Sequence, residues 1–222
     1  MPQTQAKSTR PFLPARKTLA ALRGAIQECQ GCNLYWFATQ AVFGEGPALA
    51  PIVMIGEQPG NDEDLRGRPF VGPAGKLLDR AMEEAGILRS QVYVTNAVKH
   101  FKFEERGKRR IHKKPSSSEV KACWPWLEAE LAAIKPKIAV CLGATATLAM
   151  MGPAFRLTKE RGKFFNHPSG AKVTATVHPS AILRAPDAAE RHAQYRDFVA
   201  DLRHVRERLA LETMQPAVRG AS

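Results

Sequence analysis

Carboxylate, amide and histidine side chains follow several apolar segments of this chain. Glu57 and Gln58 come directly after the run at residues 52–55, Asn96 lies within a second run, and His178 follows a third. A carboxylate can orient a nucleophile, an amide can both donate and accept hydrogen bonds, and a neutral imidazole can stabilise a developing anion. If these runs are strands of one sheet, the groups meet at one edge. Their convergence would locate a site without naming its reaction.

A further histidine, His112, lies in a strongly basic segment. Residues 108–114 read KRRIHKK and place five cations around this imidazole. Such a run is typical of a solvated loop that binds phosphates. The positive charges also disfavour the imidazolium form, so a ring nitrogen stays available as a nucleophile. If Glu57 reaches the other ring nitrogen, it would set the tautomer and stabilise the charge that forms on attack. The composition leaves both interpretations open.

Four cysteines could hold a metal. Cys29 and Cys32 form a C-x2-C pair, Cys123 lies in a predicted helix, and Cys141 ends an apolar run. Four thiolates can bind a tetrahedral zinc ion or an iron–sulfur cluster, and the spacing does not separate the two. Alternatively, Cys141 is a small apolar side chain in the core.

The elements that must position these groups alternate between strands and helices. Four runs rich in β-branched residues predict strands at residues 52–55, 92–98, 138–142 and 173–177. Gly72-Pro73 starts a helix that Gly86 ends, and Ser116 forms a capping box with Glu119 at the start of another. A further helical stripe runs over residues 195–209. We predict a three-layer α/β/α fold around a central, mainly parallel four-stranded sheet, with its site at the carboxyl ends of the strands.

Length, charge and hydropathy bound the organisation of the chain and its partners. Its 222 residues suit one domain, which we place at residues 17–212 between flexible tails at 1–16 and 213–222. The 33 Lys and Arg residues exceed the 21 Asp and Glu residues, and the net charge of +12 favours a polyanionic partner or a solubilising surface. No apolar run approaches the ~20 residues of a membrane span, and the first residues lack a signal-peptide core. We therefore expect a cytoplasmic monomer with reduced cysteines and no membrane partner.

Taken together, these motifs resemble family 4 of the uracil-DNA glycosylase superfamily, an iron–sulfur branch. The resemblance is carried by the C-x2-C pair, GEQPG at residues 56–60, PFVGPAG at 69–75 and HPS at 178–180. The UdgX subgroup is closer still, because it is marked by Gln58, by TNAVKHFKF at 95–103 and above all by KRRIH at 108–112. The match runs from about residue 25 to residue 209.

The resemblance implies removal of uracil from DNA, including single-stranded DNA, followed by covalent capture of the strand. It implies one 4Fe–4S cluster, held by Cys29, Cys32, Cys123 and Cys141. Phe70 would stack on uracil, Asn96 and Gln58 would bind it, and neutral His178 would stabilise the leaving anion. Glu57 would lie near the sugar, where His112 attacks the deoxyribose C1′ carbon. Arg110 would hold the basic loop in place, and further DNA contacts would come from Lys108, Arg109, Ser180 and Arg184.

Three other functions compete with this hypothesis. A conventional family 4 glycosylase would release uracil and turn over, which leaves the KRRIH segment unexplained. A non-enzymatic nucleic-acid-binding protein with a structural metal explains the charge and the cysteines but not the polar groups at the strand ends. A Rossmann-like nucleotide enzyme is disfavoured because neither G-x-G-x-x-G nor G-x-x-x-x-G-K-[ST] follows a predicted strand.

Overall fold

A computed structural model describes residues 8–214 of the chain. In chain order the strands are β1 (Ile52–Gly56), β2 (Val92–Asn96), β3 (Phe103–Arg106), β4 (Arg109–His112), β5 (Ile138–Leu142), β6 (Phe165–Asn166) and β7 (Lys172–Thr176). The helices are α1 (Leu19–Ala25), α2 (Asn61–Arg66), α3 (Pro73–Ala85), α4 (Ser117–Ile134), α5 (Ala144–Met151), α6 (Leu157–Glu160), α7 (Pro179–Leu183) and α8 (Ala188–Met214). Short 3-10 helices occur at Arg10–Phe12, Ile26–Glu28, Asn33–Trp36 and Arg89–Gln91. Within this described part, no helix is both long and apolar enough to cross a membrane.

The central sheet has five strands in the order β2-β1-β5-β7-β6. The first four are parallel to their neighbours, and β6 pairs antiparallel with β7 at the edge. The predicted α/β fold with a mainly parallel sheet is therefore confirmed. Strand β6 was not predicted, because two residues are too few to show a period.

Helices cover both faces of this sheet. On one face, α3 and α8 pack buried residues such as Leu78, Met82, Phe198 and Leu202 against β1, β2 and β5. On the other face, α4 and α5 pack against the same strands and β7. Strands covered on both faces are apolar throughout, and β1, β2 and β5 are buried along their whole length.

The predicted helix boundaries are confirmed in two places. Helix α3 starts after Gly72 with Pro73 at its first position, and it ends at Gly86, whose φ of 73° is left-handed. At the start of α4, Ser116 Oγ accepts a hydrogen bond from the Glu119 amide, and a Glu119 carboxylate oxygen accepts one from the Ser116 amide at 2.7 Å. This reciprocal pair is the capping box that the sequence predicts.

A third apolar cluster lies between α1, the chain that follows it and α4, and side chains of the chain before α1 pack against it. Thr9 is 1% exposed, and both its hydroxyl and its amide donate to the Ala122 carbonyl, at 2.8 and 3.0 Å. Thr9 and Phe12 thus contact α4 and the apolar cluster, while the flexibility expected for residues 1–16 stays a prediction. The remaining tail residues, 1–7 and 215–222, lie outside the described residues.

A buried ion pair links β2 to α4. Lys99 and Glu130 are fully buried and bonded to each other. The Glu130 carboxylate also accepts hydrogen bonds from the Tyr93 hydroxyl at 2.9 Å, from Thr95 and from the Gly44 amide at 3.1 Å. Burying a charge is costly unless it is paired and hydrogen-bonded, and this network supplies both.

Candidate functional site

A cavity of about 730 Å³ opens at the carboxyl ends of the parallel strands. It is lined by groups that directly follow or end four strands: Glu57 and Gln58 after β1, Asn96 at the end of β2, Gly143 after β5 and His178 after β7. This is the convergence that the predicted topology implies. The cavity wall also includes Phe70, His112, Lys114, Ser180 and Arg184.

Phe70 is held in an unusual backbone conformation at the cavity wall. Its φ of 56° is left-handed, which is rare and strained for a bulky residue. A side chain on Gly75 would collide with the Phe70 carbonyl, and one on Gly56 would come within 2.4 Å of Asn96 Oδ1 and 2.7 Å of the Phe70 ring. The two glycines therefore allow Phe70 and Asn96 to approach the floor of the cavity. The Phe70 ring faces the His178 ring, with centroids 6.3 Å apart and planes 27° apart.

His178 is neutral and its tautomer is set by the chain that follows. Burial lowers its pKa to about 4, although the Glu57 carboxylate acts in the opposite direction. Its Nδ1 accepts a hydrogen bond from the Ser180 amide at 3.1 Å and lies 2.8 Å from the Ser180 hydroxyl. Because Nδ1 is an acceptor, the ring proton is on Nε2. Ser180 therefore orients His178, a contact that the sequence did not predict.

His112 and Glu57 meet inside the same cavity. The distance between His112 Nε2 and Glu57 Oε1 is 3.2 Å, and the His112 side chain is 50% exposed. The other Glu57 oxygen accepts a hydrogen bond from the Thr145 hydroxyl. Burial alone would raise the pKa of Glu57, but the hydrogen bonds from His112 and Thr145 outweigh it and keep the pKa below its usual value. Glu57 thus lies within hydrogen-bonding distance of the imidazole, and its role toward His112 stays a prediction. Thr145 escaped that analysis because a threonine at a helix start has no distinctive signal.

The segment that carries His112 forms a β-hairpin, and residues 108–112 of it are exposed apart from Arg110, which is half-buried. Strands β3 and β4 pair antiparallel, with Phe103 opposite His112, and the two-residue turn contains Gly107 with a φ of 58°. The hairpin was not predicted. The sequence feature that could have indicated it is a glycine between two short segments that are each long enough to form a strand. Because side chains alternate along a strand, Arg110 and His112 share one face of β4.

Gln58 fastens the base of this hairpin. Its amide nitrogen donates to the carbonyls of Lys102 at 3.1 Å and Lys113 at 3.0 Å, and its amide oxygen accepts from the Lys102 amide at 3.0 Å. The Lys113 amide also donates to the Lys102 carbonyl at 2.9 Å. Both amide hydrogens of Gln58 are therefore used, and a ligand in the cavity can meet only a remaining lone pair of its oxygen.

Arg110 fastens the middle of the hairpin to α2. Its guanidinium donates to Asp64 at 2.6 Å, to Asn61 at 2.8 Å and to the Thr39 hydroxyl at 3.2 Å. It also lies 5.0 Å from the centre of the Phe103 ring. The Asp64 side chain is fully buried, so this ion pair is shielded from solvent. The geometry supports the expected holding role of Arg110, while Asp64 could not be distinguished from the other acidic residues at the start of α2.

The other expected DNA-binding residues lie in two places. Arg184 and Ser180 line the cavity. Lys108 and Arg109 do not line it, and instead line a neighbouring groove between the hairpin and α2.

Three of the four cysteines are brought together. Cys29, Cys32 and Cys123 share one buried cluster, and each thiol accepts a main-chain N–H, from Gly31, Leu34 and Lys99 respectively. Trp126 Nε1–H also donates to Cys29 Sγ at 3.2 Å. Burial is the largest influence on all three and raises their pKa values, that of Cys32 to about 11.

Cys141 lies elsewhere. It belongs to the apolar cluster between the sheet and α4, and only burial acts on its pKa, which is raised. The structure therefore does not bring Cys141 to the other thiols, and its surroundings match the alternative of a small buried side chain. Among residues 8–214, no three His, Cys, Asp or Glu side chains meet closely enough to hold a single metal ion.

Comparison with known proteins agrees with this architecture. A family model described as "Uracil DNA glycosylase superfamily" matches residues 43–203. The chain is 39% identical over 178 residues to a type-4 uracil-DNA glycosylase of Sulfurisphaera tokodaii, which covers 77% of this chain and 78% of the relative. It is 40% identical over 160 residues to a type-4 uracil-DNA glycosylase of Thermotoga maritima, covering 72% and 80% of the two chains. A type-5 uracil-DNA glycosylase of Thermus thermophilus is 30% identical over 166 residues, which cover 66% of this chain and 71% of that relative.

The matched residues contain the whole cavity, from the first strand of the sheet to the long C-terminal helix. The chain therefore belongs to the uracil DNA glycosylase superfamily.

Proposed function

We propose that this protein removes uracil from DNA and then becomes bonded through His112 to the deoxyribose that uracil leaves, as in UdgX-type glycosylases. The proposal rests on one observation above the others. His112 lies in the strand-end cavity with a ring nitrogen 3.2 Å from Glu57. A conventional glycosylase needs the cavity but has no use for a hairpin that holds a histidine in it.

In this proposal, uracil enters the cavity after leaving the base stack. Phe70 stacks on its ring and Asn96 pairs with its polar edge, for which the Asn96 amide supplies both donors and acceptors. The N-glycosidic bond breaks, and its electron pair leaves with uracil as an anion. The Nε2–H of neutral His178, a half-buried side chain, then donates to a uracil oxygen that carries the negative charge.

Capture follows at the sugar. While His112 Nε2–H donates to Glu57, the lone pair of the neutral ring is on the other nitrogen. The nitrogen that carries the lone pair forms a bond to the electron-deficient C1′ carbon, and the ring becomes a cation beside the Glu57 carboxylate. No atom has to leave in this step, since uracil has already departed. The bond persists because an alkylated imidazole is a poor leaving group.

The metal site is a second part of the proposal. A 4Fe–4S cluster, whose four irons take ligands at four separate corners, suits the buried group of Cys29, Cys32 and Cys123. The N–H groups that point at these three thiols are donors that stabilise thiolates. The cluster would tie the segment after α1 to α4. For the fourth ligand we propose the buried, neutral imidazole of His100, whose chain neighbour Lys99 contacts Cys123, in place of Cys141.

The test is a denaturing gel. Purified protein is mixed with single-stranded DNA that contains one uracil, boiled in detergent and examined for a shifted band. We expect a shift that disappears in His112→Ala and persists in His204→Ala, a control at an exposed histidine on α8. Free uracil without a shift in the wild type would identify a conventional glycosylase. DNA binding without either product would identify a binding protein.

A further inference from the structure

A groove runs beside the cavity, between α2 and the tip of the hairpin. It is lined by Asn61, Leu65, Lys108, Arg109, Arg110 and Ile111. The cavity is lined by the residues next in the chain on each side, Gly60 and His112. The groove therefore begins where the cavity ends. If one nucleotide of a DNA strand enters the cavity, the nucleotides next to it in that DNA strand come close to this groove.

The groove is positively charged. Arg110 is neutralised by Asp64, and the lining contains no carboxylate. Lys108 and Arg109 are exposed, and neither forms an ion pair with a residue of the 8–214 region. Two unneutralised cations on a hairpin tip attract a phosphate backbone, because each contact releases a condensed counterion.

Exposed aromatic side chains lie next to this groove. Trp36 and Phe37 are 52% and 55% exposed, which is unusual for adjacent large apolar residues. Phe37 is two residues before Thr39, so their Cα atoms are less than about 8 Å apart. Thr39 in turn bonds to Arg110 and, through its amide, to Asp64 at 3.0 Å. The chain that carries the aromatic pair is thereby held close to Arg110, and two apolar residues that line the groove, Leu65 and Ile111, are themselves 58% and 38% exposed.

We propose that the groove and this aromatic pair bind the single-stranded DNA that flanks the nucleotide in the cavity. Phosphates lie against Lys108 and Arg109, and a base stacks on Trp36. Cations along a groove with aromatic faces beside it are the combination by which proteins hold single strands without reading their sequence. The inference rests on the proposed function for the position of the strand, but the surface itself needs no uracil.

Affinity for a uracil-free single strand tests the surface directly. Trp36→Ala should weaken binding roughly fivefold or more, the range for loss of one stacked base, and Trp36→Phe should restore most of it. Leu49→Ala removes an apolar side chain that is 85% exposed outside this patch, and it should leave affinity unchanged. Unchanged affinity in Trp36→Ala would overturn the proposal and leave the aromatic pair as a docking site for another protein.

Salt dependence separates stacking from charge. Lys108→Ala and Arg109→Ala should each reduce the slope of log affinity against log salt concentration by about 0.7, whereas Trp36→Ala should keep the slope. Lys135→Asn is the matched control, since it removes an exposed lysine at the far end of α4 and asparagine tolerates its left-handed φ of 52°. If the slope of each of these four variants equals that of the wild type, Lys108 and Arg109 do not contact phosphates.

Substrate length separates this inference from the proposed function. Under subsaturating conditions, Trp36→Ala should slow uracil release from a strand of about fifteen nucleotides and leave release from a trinucleotide unchanged. Equal slowing on both lengths would overturn the flanking-strand position. If the wild-type protein releases no uracil from either substrate, the proposed function is refuted. The affinity measurement with uracil-free DNA would still show whether the groove and the aromatic pair bind single-stranded DNA.

Discussion

Replacement of Gln58 tests how the hairpin presents its histidine. The Gln58 amide makes three hydrogen bonds to the main chain at the base of the hairpin. At about 1 kcal/mol each, their loss in Gln58→Leu shifts the local opening of the hairpin by about 3 kcal/mol. This corresponds to roughly a hundredfold more of the open form. Arg110 would still tie the middle of the hairpin to α2, so we expect loosening at the base rather than loss of the fold.

Such loosening should affect the two chemical steps unequally. Phe70, Asn96 and His178 are not on the hairpin, so uracil release should persist in Gln58→Leu. Bond formation to His112 should fall, and the ratio of free uracil to covalent adduct in a timed reaction should rise by at least tenfold. Gln194→Leu on α8 is the matched control, because this glutamine bonds only to Glu190 among the described residues.

Hydrogen exchange provides the structural measurement for the same variant. The Lys113 amide is bonded to the Lys102 carbonyl at the hairpin base, and its exchange should accelerate in Gln58→Leu in proportion to the opening. If both the product ratio and the exchange rate match the wild type, Gln58 does not hold the hairpin. A changed ratio with unchanged exchange would instead assign Gln58 a direct contact with the substrate.

Three further predictions follow from the burial of charged and titratable groups. The unfolded chain binds a proton to His178 near its ordinary pKa of about 6.5 and the folded chain only near 4, so stability should fall as the pH drops through this window. Between pH 6.5 and 5 this amounts to about 1.6 kcal/mol in urea unfolding, and the His178→Asn variant should lose about that much less stability over the same pH range; equal losses in the two proteins would contradict this account. Cys123→Ser should abolish bound iron and visible absorption while Cys141→Ser retains both, and iron loss in Cys141→Ser would return that residue to the ligand set. Lys99→Met should cost about 3–5 kcal/mol in urea unfolding, because Glu130 is left as a buried unpaired charge, and a cost under about 1 kcal/mol would refute that account.

Local signals allowed much of the fold to be predicted. The capping box at Ser116, the glycine after α3 and the β-branched runs each determine backbone conformation within a few residues, and the sheet topology follows from their alternation. The meeting of Glu57, Asn96 and His178 follows in turn from that topology. These predictions needed no knowledge of distant contacts.

The remaining features depend on contacts between distant segments. Gln58 bonds to main-chain carbonyls about 50 residues later in the chain. Every residue has such a carbonyl, so the residue types do not reveal which one is the partner. Cys141 was expected to be a metal ligand because four cysteines suit a four-ligand site. However, strand β5 directs its thiol into an apolar cluster that holds none of the other three cysteines. Residue 9 was assigned to a tail on composition, although its hydroxyl bonds to α4.

The hairpin is paired with no strand of the central sheet, and its supports lie at its base and on one face. Residues at the turn can therefore be added or removed without moving His112, because the register next to Gln58 stays the same. Under the proposed function, uracil removal and strand retention would then be inherited as separable traits. A shorter or longer hairpin would then offer a means of adjusting how far the protein reaches along DNA while His112 stays in place.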